Sequence, residues 1–162
     1  IRRQYPGILH VAVFARNRFE EILPISSAIK ADRVQIVGDL PLLHRFSGAF
    51  GDRLLPAIRV EKEKTTVRNA PGALIIVDSF VPGQSGGTGK RFTPQWIAGL
   101  SRPFLLAGGL TAENVQSALR EVAAIASGLR GVDVSSGIED RPGYKNRTKL
   151  AAFIEQVRAF HE

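Results

Sequence analysis

Six short apolar runs constrain this chain more than any other feature of its sequence. They are Ile8–Phe14 (ILHVAVF), Val34–Val37 (VQIV), Leu54–Val60 (LLPAIRV), Ala73–Val77 (ALIIV), Phe104–Ala107 (FLLA) and Val132–Val134 (VDV). Each is rich in branched or aromatic residues and bounded by turn formers, which predicts a buried strand. Between them lie stretches with helical spacing. Arg18 to about Ala31 carries Phe19, Ile22, Leu23, Ile25, Ala28 and Ile29 on one face, with Asn17 as its expected cap and Pro24 as a kink or a later start. Shorter helices are expected from Pro41 to about Phe46 and from Thr93-Pro94 through Leu100, and a surface helix or loop over 61–69. Thr111 is the expected cap of a helix with Val115, Ala118, Leu119 and Val122 inside, and a last helix is expected over about Asn146–Phe160. Strand and helix alternating in this way predict a parallel sheet with crossover helices, in one domain over 1–162.

Two architectures satisfy that pattern: an open doubly wound sheet and a closed barrel. Open sheets usually place their phosphate glycines after the first strand. Here the glycine-rich tips follow the fourth, fifth and sixth runs, which is the habit of a (βα)8 TIM barrel. An α/β barrel of the ribulose-phosphate-binding type, with six βα units visible, is therefore the expected fold class. A six-strand piece would leave two edges exposed. The chain also begins at Ile1 and contains no Met. Two further βα units ahead of Ile1 are therefore expected.

Composition narrows the function classes. No apolar run approaches the ~20 residues needed to cross a bilayer. With no Cys, disulfides and thiolate metal sites are excluded from these residues. The net charge of +7, from 22 basic and 15 acidic residues, admits an anionic ligand. The basic residues are dispersed, with no run interleaved with aromatics, so a nucleic-acid partner is not expected. The expected location is cytoplasmic.

Chemistry concentrates at the ends of the late strands. Asp78 closes the fourth run and is followed by a Gly/Pro/Ser-rich loop whose Gly86 and Gly87 are expected to bind the substrate or its phosphate. A carboxylate on rigid backbone beside a loop that can close is a standard active-site arrangement, but an Asp at a strand end also caps turns. Gly108 and Gly109 follow the fifth run, and Asp133, Ser135, Ser136 and Gly137 the sixth. Glycine lets backbone N–H groups approach a ligand, serine adds hydroxyl donors, and a following helix adds a positive end. Either tip alone is also an ordinary strand-to-helix turn; together, in a barrel frame, they favour a phosphate monoester. The loop ending in Gly89-Lys90 is not a nucleotide P-loop, because Gln84 and Arg91 stand where Gly and Ser/Thr are required. His10, His44 and His161 show no metal-ligand spacing. His10 reads as a core or strand-end residue, the other two as exposed.

The runs VDSFVPGQSGGTGKRF, FLLAGGLTAENVQSAL and GVDVSSGIEDRPGYKNRTKLAAFIEQVR together resemble phosphoribosylanthranilate isomerase of tryptophan biosynthesis. VAVF with Asn17, and VQIVGD, resemble that family's third and fourth strands. The resemblance spans nearly the whole chain. It implies a (βα)8 barrel that performs an Amadori rearrangement of N-(5′-phosphoribosyl)anthranilate, with no metal or cofactor, as a monomer or homodimer. It implies Asp78 as the general acid, with Gly108, Gly109, Ser135, Ser136 and Gly137 on the phosphate. Asp133, near the same mouth, could bind sugar hydroxyls or simply cap its turn. The family's Cys general base lies on its first strand and an Arg follows its second, both ahead of the strands seen here. Val37 stands where the family usually has His. Two other readings keep the phosphate tips: an aminoaldose-phosphate isomerase of histidine biosynthesis, and a degenerate phosphate-binding barrel that does no chemistry.

Overall fold

A computed structural model describes residues 4–60, 67–78 and 97–161. The expected loop glycines Gly86 and Gly87, and most of the expected helices over 61–69 and 93–100, lie outside the described residues.

Six parallel strands form one sheet: β1 (Val11–Phe14), β2 (Arg33–Val37), β3 (Leu54–Arg59), β4 (Ile75–Asp78), β5 (Phe104–Ala107) and β6 (Leu129–Val132). Their spatial order is their sequence order. A doubly wound sheet reverses its strand order at a switch point; this sheet never does. The helices α1 (Phe19–Ala28), α2 (Leu40–Phe50), α3 (Val115–Ala123) and α4 (Arg147–His161) complete the main frame. The fold is α/β and barrel-like, with β1 and β6 at the ends of the strand order among the described residues.

Alternation along the strands sorts side chains to two faces. Ala12, Phe14, Val34, Ile36, Leu54, Ile58, Ile75, Val77, Phe104 and Leu106 share one core with residues from each of these helices, so these helices cover a single face. Phe46 of α2 is fully buried there and packs 4.8 Å from Phe19 and 6.0 Å from Phe50, centroid to centroid. Deleting a buried ring of this kind costs ~3–5 kcal/mol, and this trio explains why α2 runs on past the expected Phe46 to Phe50. The opposite, inner face is lined by Leu55, Ala57, Ile76 and Ala107, with Val37, Leu74 and Leu105 against them.

Several boundaries differ from those expected. The sixth strand is Leu129–Val132 rather than Val132–Val134. Arg130 and Gly131 break the apolar run, yet a register shift at Phe104/Leu105 lets Leu129 pair with Phe104 and Gly131 with Leu105. The first strand starts at Val11, because His10 is engaged by Asp32: its N–H donates to the Asp32 carboxylate at 2.7 Å and its carbonyl accepts from Asp32 N at 2.8 Å. The cap of α1 is Arg18, not Asn17, and the Glu21 carboxylate accepts the Arg18 N–H at 3.1 Å. Pro24 is held inside α1. The N-cap of α3 is Asn114, three residues after the expected Thr111.

A short hairpin was not expected. It joins β7 (Glu139–Arg141) to the antiparallel β8 (Tyr144–Lys145). Pro142 and Gly143 form its turn, with Gly143 at φ 84, the left-handed backbone that glycine adopts without steric cost.

Candidate active site

Parallel strands present their C-terminal ends to one side of the sheet, and the predicted site residues among those described follow or end these strands there. Asp78 is the last residue of β4, paired in register with Arg59 of β3 and Ala107 of β5. It shares the inner face with Ile76 two residues before it. Asp133 follows β6 directly, its N–H donating to the Leu106 carbonyl at 2.8 Å. Alternation from Gly131 turns Asp133 to the same inner face. The two carboxylates are near enough to influence each other. Burial, and secondarily the negative charge of Asp78, raise the Asp133 carboxyl above its ordinary value of 3.8, while the Lys145 ammonium opposes the rise. The site therefore contains two acids whose charges interact, with burial the larger cause of the rise at Asp133.

Beside this pair stand two corners. The first follows β5. Gly108 (φ 96) and Gly109 (φ 63) both take left-handed backbone, so the chain turns within two residues. Asn114 brackets that turn: its amide donates to the Gly109 carbonyl and its Oδ1 accepts from Thr111 N, each at 2.9 Å. Asn114 is the N-cap residue of α3 by position, but its side chain serves the turn ahead of the helix rather than the helix N–H groups.

The second corner follows β6. Ser135 opens a single 3-10 turn over Ser136–Ile138. Gly137 packs against the first corner so closely that a Cβ on it would lie 1.7 Å from the Leu110 carbonyl oxygen. Only glycine permits that approach, and it brings the two corners into direct contact.

Two charged residues at this mouth were not singled out by sequence reasoning. Arg59, exposed at the end of β3, stands beside Asp78 in the register. Period-two alternation from Leu55 and Ala57 was the available signal for it. Lys145, on β8, donates to the Ser135 carbonyl at 2.9 Å, to Ser135 Oγ at 3.1 Å and to Glu139 Oε1 at 2.6 Å. Nothing local marks it, because the hairpin alone returns it to the corner. Val37 ends β2 on the inner face, against the small apolar cluster. His10 sits at the opposite end of the sheet, half-buried, with Nδ1 3.6 Å from Asp32, and His44 is exposed on α2.

A model of the N-(5′-phosphoribosyl)anthranilate (PRA) isomerase family matches residues 1–156. The chain belongs to the PRA isomerase family. The PRA isomerase of Leptospira borgpetersenii is 38% identical over 152 residues, which cover 91% of this chain and 68% of that protein. Among solved structures, TrpF from Jonesia denitrificans superposes with a TM-score of 0.72 at 26% identity, covering 95% of this chain and 73% of that one. A further PRA isomerase, solved in complex with reduced 1-(o-carboxyphenylamino)-1-deoxyribulose 5-phosphate, matches with a TM-score of 0.64 at 26% identity, covering 95% and 73% of the two chains. The protein is accordingly an isomerase of tryptophan biosynthesis that acts on a phosphorylated small molecule. Among the described residues, no helix is long and apolar enough to cross a membrane.

Proposed function

We propose that Asp78 is the general acid of this PRA isomerase, that the corners at Gly108-Gly109 and Ser135-Ser136-Gly137 bind the substrate phosphate, and that Asp133 binds the sugar hydroxyls. The observation that carries this reading is the meeting of Asp78 and Asp133 on one inner face, beside two corners rich in backbone donors. The chemistry needs such an arrangement. As the C1′–O bond of the ribose ring breaks, the ring oxygen takes a proton from the Asp78 carboxyl and the anilino nitrogen lone pair forms the C1′=N iminium. Loss of the C2′ proton then gives an enolamine, and a proton returned to C1′, with loss of the C2′ hydroxyl proton, leaves the ketone at C2′. Atoms and electrons balance without an outside oxidant. In this reading the six strands are the third to eighth of the barrel, and the C2′ proton passes to a base on the first. The exposed inner residues Val11 and Val13 of β1 support that placement.

Steady-state kinetics of the two acid variants test the roles. Asp78→Asn is expected to lower kcat by about two to four orders of magnitude with KM little changed. Asp133→Asn is expected to act mainly on KM. Burial and the Asp78 charge favour a proton on Asp133, so the reverse pattern would make Asp133 the donor. A tryptophan auxotroph lacking this isomerase should grow with the wild-type gene and fail with Asp78→Asn. Growth with both would reject Asp78 as the acid.

A further inference from the structure

We propose that Lys145 is a positioning residue of the second corner, holding Ser135 so that its hydroxyl proton points at the ligand phosphate. This rests on the phosphate-corner reading above.

The argument begins with donor counting. An ammonium has three protons and accepts nothing. Lys145 has three acceptors within hydrogen-bond distance: the Ser135 carbonyl at 2.9 Å, Ser135 Oγ at 3.1 Å and Glu139 Oε1 at 2.6 Å. With all three protons placed on the protein, Lys145 does not need the phosphate as a hydrogen-bond acceptor. Its effect is on Ser135. A hydroxyl has one proton and two lone pairs. Because Lys145 donates to Oγ, the Ser135 proton is left for another acceptor. The Ser135 carbonyl is held by the same ammonium, which fixes the peptide plane ahead of the Ser136–Ile138 turn. The N–H of Ser136 belongs to that plane, so the orientation of a backbone donor is fixed as well. The positive charge remains beside the corner, where it favours an anion and opposes the rise of the Asp133 carboxyl.

The hairpin holds Lys145 in place. Glu139 and Lys145 are partners across β7 and β8. The Arg141 guanidinium stacks 3.8 Å from the Tyr144 ring centroid, and the Asn146 side-chain amide donates to Asp140 at 2.9 and 3.0 Å. Asn146 N donates to the Ile138 carbonyl at 2.8 Å and Lys149 Nζ to the Glu139 carbonyl at 2.7 Å, so one end of the hairpin is tied back to the turn it supports and the other to α4. The Glu139 carboxyl, lowered first by its hydrogen bond from Lys145, stays ionised to anchor the ammonium.

Competitive inhibition by inorganic phosphate, measured with the substrate KM, kcat and thermal midpoint, tests this in Lys145→Met and Lys145→Arg. Lys145→Met should raise both the phosphate inhibition constant and KM by about ten-fold, the loss of one charge-assisted hydrogen-bond set, with kcat within about two-fold. Lys145→Arg, which keeps the charge and can still donate, should recover part of the loss. Glu139→Gln, which frees the ammonium without removing it, should fall between wild type and Lys145→Met, and serves if Lys145→Met does not fold. A phosphate constant unchanged in Lys145→Met, or a fall in kcat at constant KM, would overturn the proposal. If the wild-type enzyme itself is not inhibited by phosphate, the phosphate-corner reading fails, and this proposal fails with it.

Discussion

The two corners at the mouth of the sheet reach the same end by opposite means. The corner after β5 is held from within: Gly108, Gly109, Thr111 and Asn114 supply the turn, the left-handed backbone and the side-chain bracket from seven consecutive residues. The corner after β6 is held from outside. Its Gly137 presses on Leu110 of the other corner, and its Ser135 is gripped by Lys145 from a hairpin that has left and returned. A locally built corner keeps its shape while its own residues are intact. A corner built by distant contacts depends on everything that places those contacts.

The glycines give the largest expected contrast. Gly137→Ala would put a Cβ 1.7 Å from a backbone oxygen, which cannot swing aside as a side chain can. It should cost at least the upper end of the ~1–3 kcal/mol typical of overpacking and weaken phosphate binding at both corners together. Gly109→Ala meets nothing within 4 Å and carries only the penalty of φ 63, about 1–2 kcal/mol for an L-residue. Thermal unfolding and KM of the pair check this, and equal losses would mean that contact between the corners is unimportant. An effect comparable to that of Gly109→Ala is expected from Asn114→Ala. It removes two hydrogen bonds within the first corner, at ~0.5–1.5 kcal/mol each. Inorganic phosphate inhibition should weaken while Lys145-dependent behaviour is preserved. If the Asn114 and Lys145 losses prove strongly non-additive in a double mutant, the corners are one unit rather than two.

The smallest effect concerns pH. Asp133 holds its proton more tightly folded than unfolded, so the folded molecule binds more protons as pH rises through the ordinary value of 3.8. Stability from this residue is therefore present below that pH, falls across the window up to the raised folded value, and is level above it. Asp133→Asn should be the more stable protein at neutral pH, with the advantage disappearing in acid, while KM worsens. Thermal midpoints measured across the acid range check the sign. A variant less stable than wild type at neutral pH would show that Asp133 is held by partners that outweigh its burial.

How far the sequence could be read depended on the range of the interactions. β2, β3 and β5 fall within a residue of their expected bounds, because each is a compact apolar run whose partner strand lies next in sequence. Asp78 was recognisable for the same reason: a carboxylate at the end of an unbroken apolar run has one place to go. β6 was misplaced because Arg130 and Gly131 look like a turn until β5 is there to pair with them. Arg59 was overlooked although its parity was readable, since a charge next to an apolar strand looks like solvated surface. The hairpin had a signal in Pro142-Gly143, but two- and three-residue strands carry too little apolar pattern to register.

The order of strands and helices, the glycines that must turn, and the acid at the end of β4 were determined by the sequence itself, because each follows from the local conformational preferences of consecutive residues. Only the tertiary structure decided that Asp133 lies within electrostatic reach of Asp78, that Gly137 rests on Leu110, and that Lys145 grips Ser135. Those pairings join residues on different elements, and their distances are set by how the sheet and its hairpin pack rather than by anything in the intervening chain.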